Sequence, residues 1–209
     1  MEKKNEVKRI CLAITGASGA QYALRLAECL ASAGVELSLL LSSAARIVIN
    51  TETNHTVPEG HAEQQAFFES ILPANANVTL YSKEDWFAPV ASGSSAPGAM
   101  VICPASGGTL SAIACGASNN LIERAADVAL KERRSLILVP RESPYSEIHL
   151  ENMLKLSRMG ALILPASPGF YDKPESVDDL VDFVVARILD HLGVEQKLVN
   201  RWGAEVLTF

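Results

Sequence analysis

The residues Val7-Lys8-Arg9-Ile10-Cys11-Leu12-Ala13-Ile14-Thr15, then Gly16-Ala17-Ser18-Gly19-Ala20, then Gln21-Tyr22-Ala23-Leu24-Arg25-Leu26-Ala27 form one continuous passage near the start of the chain. Its first part is a short apolar run, which is how a strand buried on both faces of a parallel sheet reads. A glycine-bearing turn follows, and then helical periodicity over Ala20–Ala33. A turn that leaves a strand and opens a helix presents backbone amides and a positive helix end to an anion, and the Ser18 hydroxyl adds a donor. The turn therefore reads as a phosphate seat, against the plainer reading in which its glycines serve backbone geometry alone.

The same alternation continues outward. Short aliphatic runs at Val35–Leu41, Ala99–Cys103, Ser135–Val139 and Ala161–Pro165 read as further strands. The stretches His61–Leu72, Asn119–Arg133, Ser146–Met159 and Val177–Leu192 read as helices between and after them. The pattern predicts a single α/β domain over 1–209 with a doubly wound parallel sheet. In such a sheet ligands bind beyond the carboxyl ends of the strands. The loops there are TGASGA, LSSAAR, CPASGGT, VPRES and PASPGFY, all rich in small or hydroxyl residues that let amides approach an anion. The Pro/Gly/Ser-rich segment Ala88–Gly98 is low in charge and reads as a loop that could contact a partner.

Bulk properties exclude several classes. The chain has 209 residues, 48% of them hydrophobic and 20% charged, enough for one self-sufficient core and too apolar for disorder. A net charge of −6 argues against a nucleic-acid surface, which needs clustered cations to displace counterions. Cys11, Cys29, Cys103 and Cys115 lie in apolar segments without CxxC or framework spacing and read as reduced core thiols. The charged N-terminus leads into an apolar run too short for a membrane span and without a signal-peptide layout, so a cytoplasmic protein is expected. No histidine shows metal-ligand spacing, and no metal is expected.

A TGAS-like turn also opens short-chain dehydrogenases. Against that reading, the second strand ends in Leu41-Ser42-Ser43 where an acidic ribose ligand would stand, and the chain has no Tyr-x-x-x-Lys pair. A serine there suits a flavin phosphate or ribityl chain better.

The blocks TGASGAQYALRL, LSSAARIV, TET, ASGSSAPGAMVICP, TLSAIA, NNLIERAADVALKERR, LVPRESP, HLENMLKLS, PGFY and VDDLVDFVVARILD together resemble the flavin prenyltransferase (UbiX) family, in order and over nearly the whole chain. The shared positions include charged residues that no core requires. The resemblance implies a Rossmann-like, flavodoxin-type subunit in a homododecamer. It also implies a metal-independent reaction joining dimethylallyl monophosphate to reduced FMN, with prenylated FMN passed to a UbiD-type decarboxylase in ubiquinone biosynthesis. By the same resemblance, Gly16, Ala17, Ser18, Ser42, the turn Ser106-Gly107-Gly108-Thr109 and Arg141 contact FMN. Tyr171 and Arg187 take the prenyl phosphate, with Lys131, Arg124 and Arg141 as further cations. Glu52, Glu142, Ser18 and Lys131 are the expected catalytic residues, and Trp86 and Trp202 house the allylic group. One departure is Ala105-Ser106 where many members have Cys-Ser.

Several of these assignments have a physical warrant in the residues themselves. A monophosphate leaves poorly unless its growing charge is neutralised, and without metal only Lys, Arg and hydroxyl donors do that. Arg124 and Lys131, seven apart in a helix, share a face, although a solvated stripe explains the same spacing. Arg187 inside VDFVVARILD calls for a ligand or a buried acid. Residues 1–6 are expected to be flexible, and 193–209 to form a tail that packs on a neighbouring subunit. Two rival functions remain: an FMN-dependent decarboxylase of the cysteine-decarboxylase type, whose catalytic His and PxMNxxMW-like block are missing here, and a non-catalytic FMN carrier, which needs no second-phosphate cluster.

Overall fold

The computed structural model describes residues 9–199. Six parallel strands form one sheet in the order β3-β2-β1-β4-β5-β6. They are β1 (Arg9–Ile14), β2 (Glu36–Leu41), β3 (Val78–Tyr81), β4 (Ala99–Ala105), β5 (Ser135–Pro140) and β6 (Leu162–Ile163). The helices are α1 (Ala20–Ser32), α2 (Ser43–Glu52), α3 (His61–Ile71), α4 (Gly107–Ala114), α5 (Leu121–Lys131), α6 (Glu147–Arg158) and α7 (Val177–Leu192). This is the doubly wound, Rossmann-like arrangement expected from the sequence, with its switch point between β1 and β4.

The strands are apolar on both faces because the sheet is covered on both. Successive side chains alternate between the two faces. Ile10, Leu12 and Ile14 meet Leu26, Leu30, Val185 and Leu189 of α1 and α7 in one core. Cys11 and Ala13, one residue out of phase, meet Leu110, Ala126 and Leu156 of α4, α5 and α6 in the other. β4 and β5 divide in the same way, with Val101 and Ile137 on the first face and Ile102 and Leu138 on the second.

The boundaries shift from the sequence reading at several places. β4 runs two residues further, to Ala105, whereas β6 shrinks to Leu162–Ile163, an outer strand paired only with β5. Three elements went unread. β3 has four residues at the other outer position, too few for a strong alternation signal. α2 follows β2 with one intervening residue, and α4 begins on the poor helix formers Gly107-Gly108.

The reading of all four cysteines as core thiols is corrected. Only Cys11 and Cys103 are core thiols; burial pushes the Cys11 thiol up to about 12, while Cys29 is half-buried and Cys115 is exposed. The segment Ala88–Gly98 packs on its own chain: Pro89–Ala91 form a 3-10 turn with Val90 and Ala91 buried, and Ser95 O accepts from the Arg9 guanidinium at 2.8 Å. The start of the tail does likewise, since Val194 and Leu198 pack on the α1–α7 core. The rest of the tail, with Trp202, and residues 1–6 lie outside the described residues. No helix among the described residues is long and apolar enough to cross a membrane.

Candidate active site

The loops after β1 and β4 are tied together by Thr15, and the loop after β2 is joined to them through Ile14. The Thr15 side chain is buried; its hydroxyl donates to Pro104 O at 2.7 Å and accepts from the Ser106 amide at 2.9 Å. The Ser42 amide donates to Ile14 O at 3.1 Å, which draws the start of α2 alongside. The approach is so close that a Cβ at Gly16 would lie 2.5 Å from Ala44 Cβ, which is why that position takes glycine.

The serines expected to touch a cofactor are first of all helix caps. Ser42 Oγ accepts from the Ala45 amide at 3.0 Å, and Ser106 Oγ accepts from the Thr109 amide at 3.3 Å while lying 2.9 Å from Thr109 Oγ1. The amides of Gly107 and Gly108, in the first turn of α4, have no partner among the described residues, as first-turn amides do unless something caps them. They stand ready for an acceptor.

The start of α1 is different. Glu52, at the end of α2, accepts at Oε2 from the Gly19 amide at 2.8 Å and the Ala20 amide at 3.0 Å. Gly19 has φ +109°, a left-handed conformation that only glycine adopts without strain. Partial burial pushes the Glu52 carboxyl up, but hydrogen bonds from Ser18, Gly19 and Ala20 and the charge of Arg141 outweigh it, so its pKa falls below the ordinary value. Glu52 is therefore a carboxylate at neutral pH. It also occupies the Gly19 and Ala20 amides at the helix end that the sequence reading reserved for a phosphate, whereas the Ser106–Thr109 turn keeps open amides at Gly107 and Gly108.

Arg141 follows β5 at the same edge, and its Nε is buried without a partner among the described residues. Glu142 beside it is exposed, with Oε1 accepting from the Ser143 amide at 3.2 Å. Burial and the charge of Glu142 push the Tyr145 phenol up, and Arg141 opposes them. The edge thus brings together Ser18, Glu52, Arg141 and Glu142. A cavity of about 310 Å³ adjoins it, bounded by Ser42, Arg46, His61 and Lys83. A larger one of about 810 Å³ lies between α1, α7 and residues 194–198 at the opposite edge, away from this chemistry.

Of the remaining expected residues, Lys131, Arg124 and Arg187 make their hydrogen bonds and ion pairs with other groups among the described residues, and Lys131 is the one the fold sets furthest along its element from this edge. α5 descends from the ligand edge, so Lys131 lies at the amino end of β5, a strand length from Arg141, or about 20 Å at ~3.3 Å per residue. There it pairs with Glu132. Arg124 donates to Ala91 O at 3.0 Å and to Asp127 at 3.1 Å. Arg187 needs no buried partner, because it points outward and pairs with Asp190 at 3.0 Å. Trp86 follows β3 and Tyr171 follows β6, the two outer strands, five spacings or about 24 Å of sheet apart. Both are exposed. Sequence reasoning missed Thr15, whose signal is a hydroxyl at a buried strand end, and His149, whose signal is the spacing Ser146-x-x-His149 of a helix cap. Among the described residues no group of three His, Cys, Asp or Glu side chains could hold a metal ion.

The Flavoprotein family model matches residues 1–189. A flavin prenyltransferase UbiX of Pseudomonas aeruginosa is 61% identical over 201 residues, covering 96% of each chain. The chain belongs to the flavin prenyltransferase family. Its UbiX relative in Halalkalibacterium halodurans is 48% identical, covering 92% of each chain. Among solved structures, AnUbiX (PadA1) in complex with FMN and dimethylallyl pyrophosphate superposes with a TM-score of 0.85 at 38% identity, covering 95% of this chain and 98% of that one. A dodecameric FMN-dependent UbiX-like decarboxylase from Escherichia coli O157:H7 gives 0.83 at 39%, covering 94% and 100%. The family membership drawn from the sequence blocks is thereby established, and the two solved structures share this fold.

Proposed function

We propose that the protein transfers a dimethylallyl group from dimethylallyl monophosphate to reduced FMN, making prenylated FMN for a UbiD-type decarboxylase in the cytoplasm. The observation that carries this is Arg141: a guanidinium with an unused buried Nε, at the switch-point edge, beside an ionised Glu52 and close to two free glycine amides. A buried donor without an acceptor is costly, so the site is built for an anionic guest. The donor set fits FMN: Gly107 and Gly108 amides with Ser106 and Thr109 hydroxyls suit its phosphate, and Ser42 with Gly16, Ala17 and Ser18 suits the ribityl chain and ring. When bound, reduced flavin supplies the electron-rich nitrogen and carbon that are alkylated.

The chain's own residues supply charge and proton control. Arg141 neutralises negative charge gathering on the departing phosphate. Glu52 accepts a proton, Ser18 orients it through their hydrogen bond, and exposed Glu142 carries a proton to or from the leaving group. Arg124 and Arg187 pair with other groups, Tyr171 and Trp86 are exposed, and Lys131 stands off this edge in its own copy. All lie at its surface, wholly or in part, where neighbouring copies can bring them to it. A homododecamer, as in the related Escherichia coli structure, meets that need. Pairing now with acids one or three residues away, these cations are free to exchange them for a phosphate.

The test is anaerobic incubation of the protein with reduced FMN and either dimethylallyl monophosphate or the pyrophosphate, followed by mass spectrometry of the extracted flavin. A flavin heavier by one five-carbon prenyl unit with the monophosphate is expected. Unmodified flavin from protein that demonstrably binds FMN would instead support a carrier or a decarboxylase.

A further inference from the structure

α6 faces α4 with the inward positions His149, Asn152, Met153 and Leu156, spaced three or four apart on one side of the helix. Leu156 is fully buried and Met153 packs with the core of that face. Towards the start of the helix the stripe becomes polar, ending in Asn152 and His149. A helix that only covered α4 would keep the stripe apolar.

His149 is committed at one nitrogen and open at the other. Nδ1 accepts from the Ser146 amide at 3.3 Å while Ser146 Oγ accepts from the His149 amide at 3.3 Å, a reciprocal cap in which histidine takes the place usual for Glu or Gln. Because Nδ1 is the acceptor, a neutral ring must carry its proton on Nε2. Nε2 has no hydrogen-bond partner among the described residues, and it points at Gly107: a Cβ there would lie 2.6 Å from it. One turn on, Asn152 Nδ2 is buried and also without a partner. The Nε2–H donor therefore stands against the turn whose Gly107 and Gly108 amides are themselves unused.

We propose that His149 is a positioning residue for the flavin phosphate, donating from Nε2 to an oxygen that also sits on the Gly107 and Gly108 amides. This rests on the reading that the protein binds FMN, but not on prenyl transfer. It also explains Gly107, since any side chain there would displace the ring. The cap is then more than a helix terminator, because it fixes the tautomer and aims the donor.

The test compares FMN with riboflavin, which lacks the phosphate, by quenching of flavin fluorescence in wild type, His149→Gln and His149→Glu. Both replacements keep an N3 side chain able to cap. His149→Gln is expected to retain a donor and stay close to wild type. His149→Glu puts a carboxylate against the phosphate and is expected to weaken FMN about 10- to 100-fold, the range for a lost hydrogen bond to a charged group, with riboflavin unchanged. An unchanged ratio of FMN to riboflavin affinity in His149→Glu overturns the proposal, and so does parallel loss of both flavins in either variant, which would mark a purely structural role. Protein that binds FMN with this pattern yet forms no adduct would sink the transferase reading and leave His149 in place.

Discussion

At the carboxyl edge of the sheet Thr15 joins residues 91 positions apart, and Glu52 reaches back 33 positions to cap α1. On the outer faces of α5 and α7, by contrast, Arg124 pairs with Asp127, Lys131 with Glu132 and Arg187 with Asp190, each within one or three positions. The first region is a set of polar groups locked by long-range, largely buried bonds, so its geometry is settled before any ligand arrives. The second is a set of half-exposed ion pairs that hold little energy and can be re-paired. On the function proposed above, one copy would complete its flavin side by itself and leave its phosphate side to a neighbour.

Removing the charge that anchors the locked region should do the most damage. Glu52→Gln is expected to lower the rate of adduct formation about 100- to 10,000-fold, the span of a lost proton-transfer group, with FMN still bound. Near-normal turnover would remove Glu52 from the chemistry and leave it as a helix cap. Next, Lys131→Ala and Glu142→Gln should each be nearly inactive alone, yet regain activity when co-expressed, if Lys131 of one copy serves the edge of another. Absence of any recovery would break the two-region picture, because it would mean that one copy supplies all these groups to its own edge.

Smaller effects concern stability. Thr15→Val leaves the Ser106 amide without its acceptor and should cost about 1–3 kcal/mol in denaturant unfolding. Arg187→Ala should change stability by no more than about 0.5 kcal/mol, so any larger loss of transfer in that variant reads directly on substrate contact. The pH dependence has a definite sign. The folded pKa of Glu52 is depressed, so its contribution is complete above the ordinary value of 4.5 and is lost as pH falls below that through the folded value. The thermal midpoint of wild type should drop more steeply than that of Glu52→Gln on acidification through that window, and equal slopes would show that the carboxylate carries no such linkage.

Much of this was legible in the order of residues. Both-face apolar runs such as Arg9–Ile14 and Ala99–Ala105 can only sit inside a covered parallel sheet, and the helix α7 was readable to the residue because Ser176 caps it and Gly193 ends it. Ser42, Ser106 and Arg141 were placed at the right edge because strand ends carry them there. Four-residue β3 and glycine-led α4 escaped because their formation depends on neighbours already in place.

The sequence by itself determined the sheet, the flavin-type loops and the family, because periodicity and turn chemistry are local properties. Tertiary structure alone decided that Glu52 caps the helix end expected to hold a phosphate and that His149 faces Gly107. It alone put Lys131 at the far end of β5 from Arg141 in a single copy and turned Arg187 outward to Asp190. Those relations depend on which segments pack together across the fold, and spacing along the chain carries no record of them.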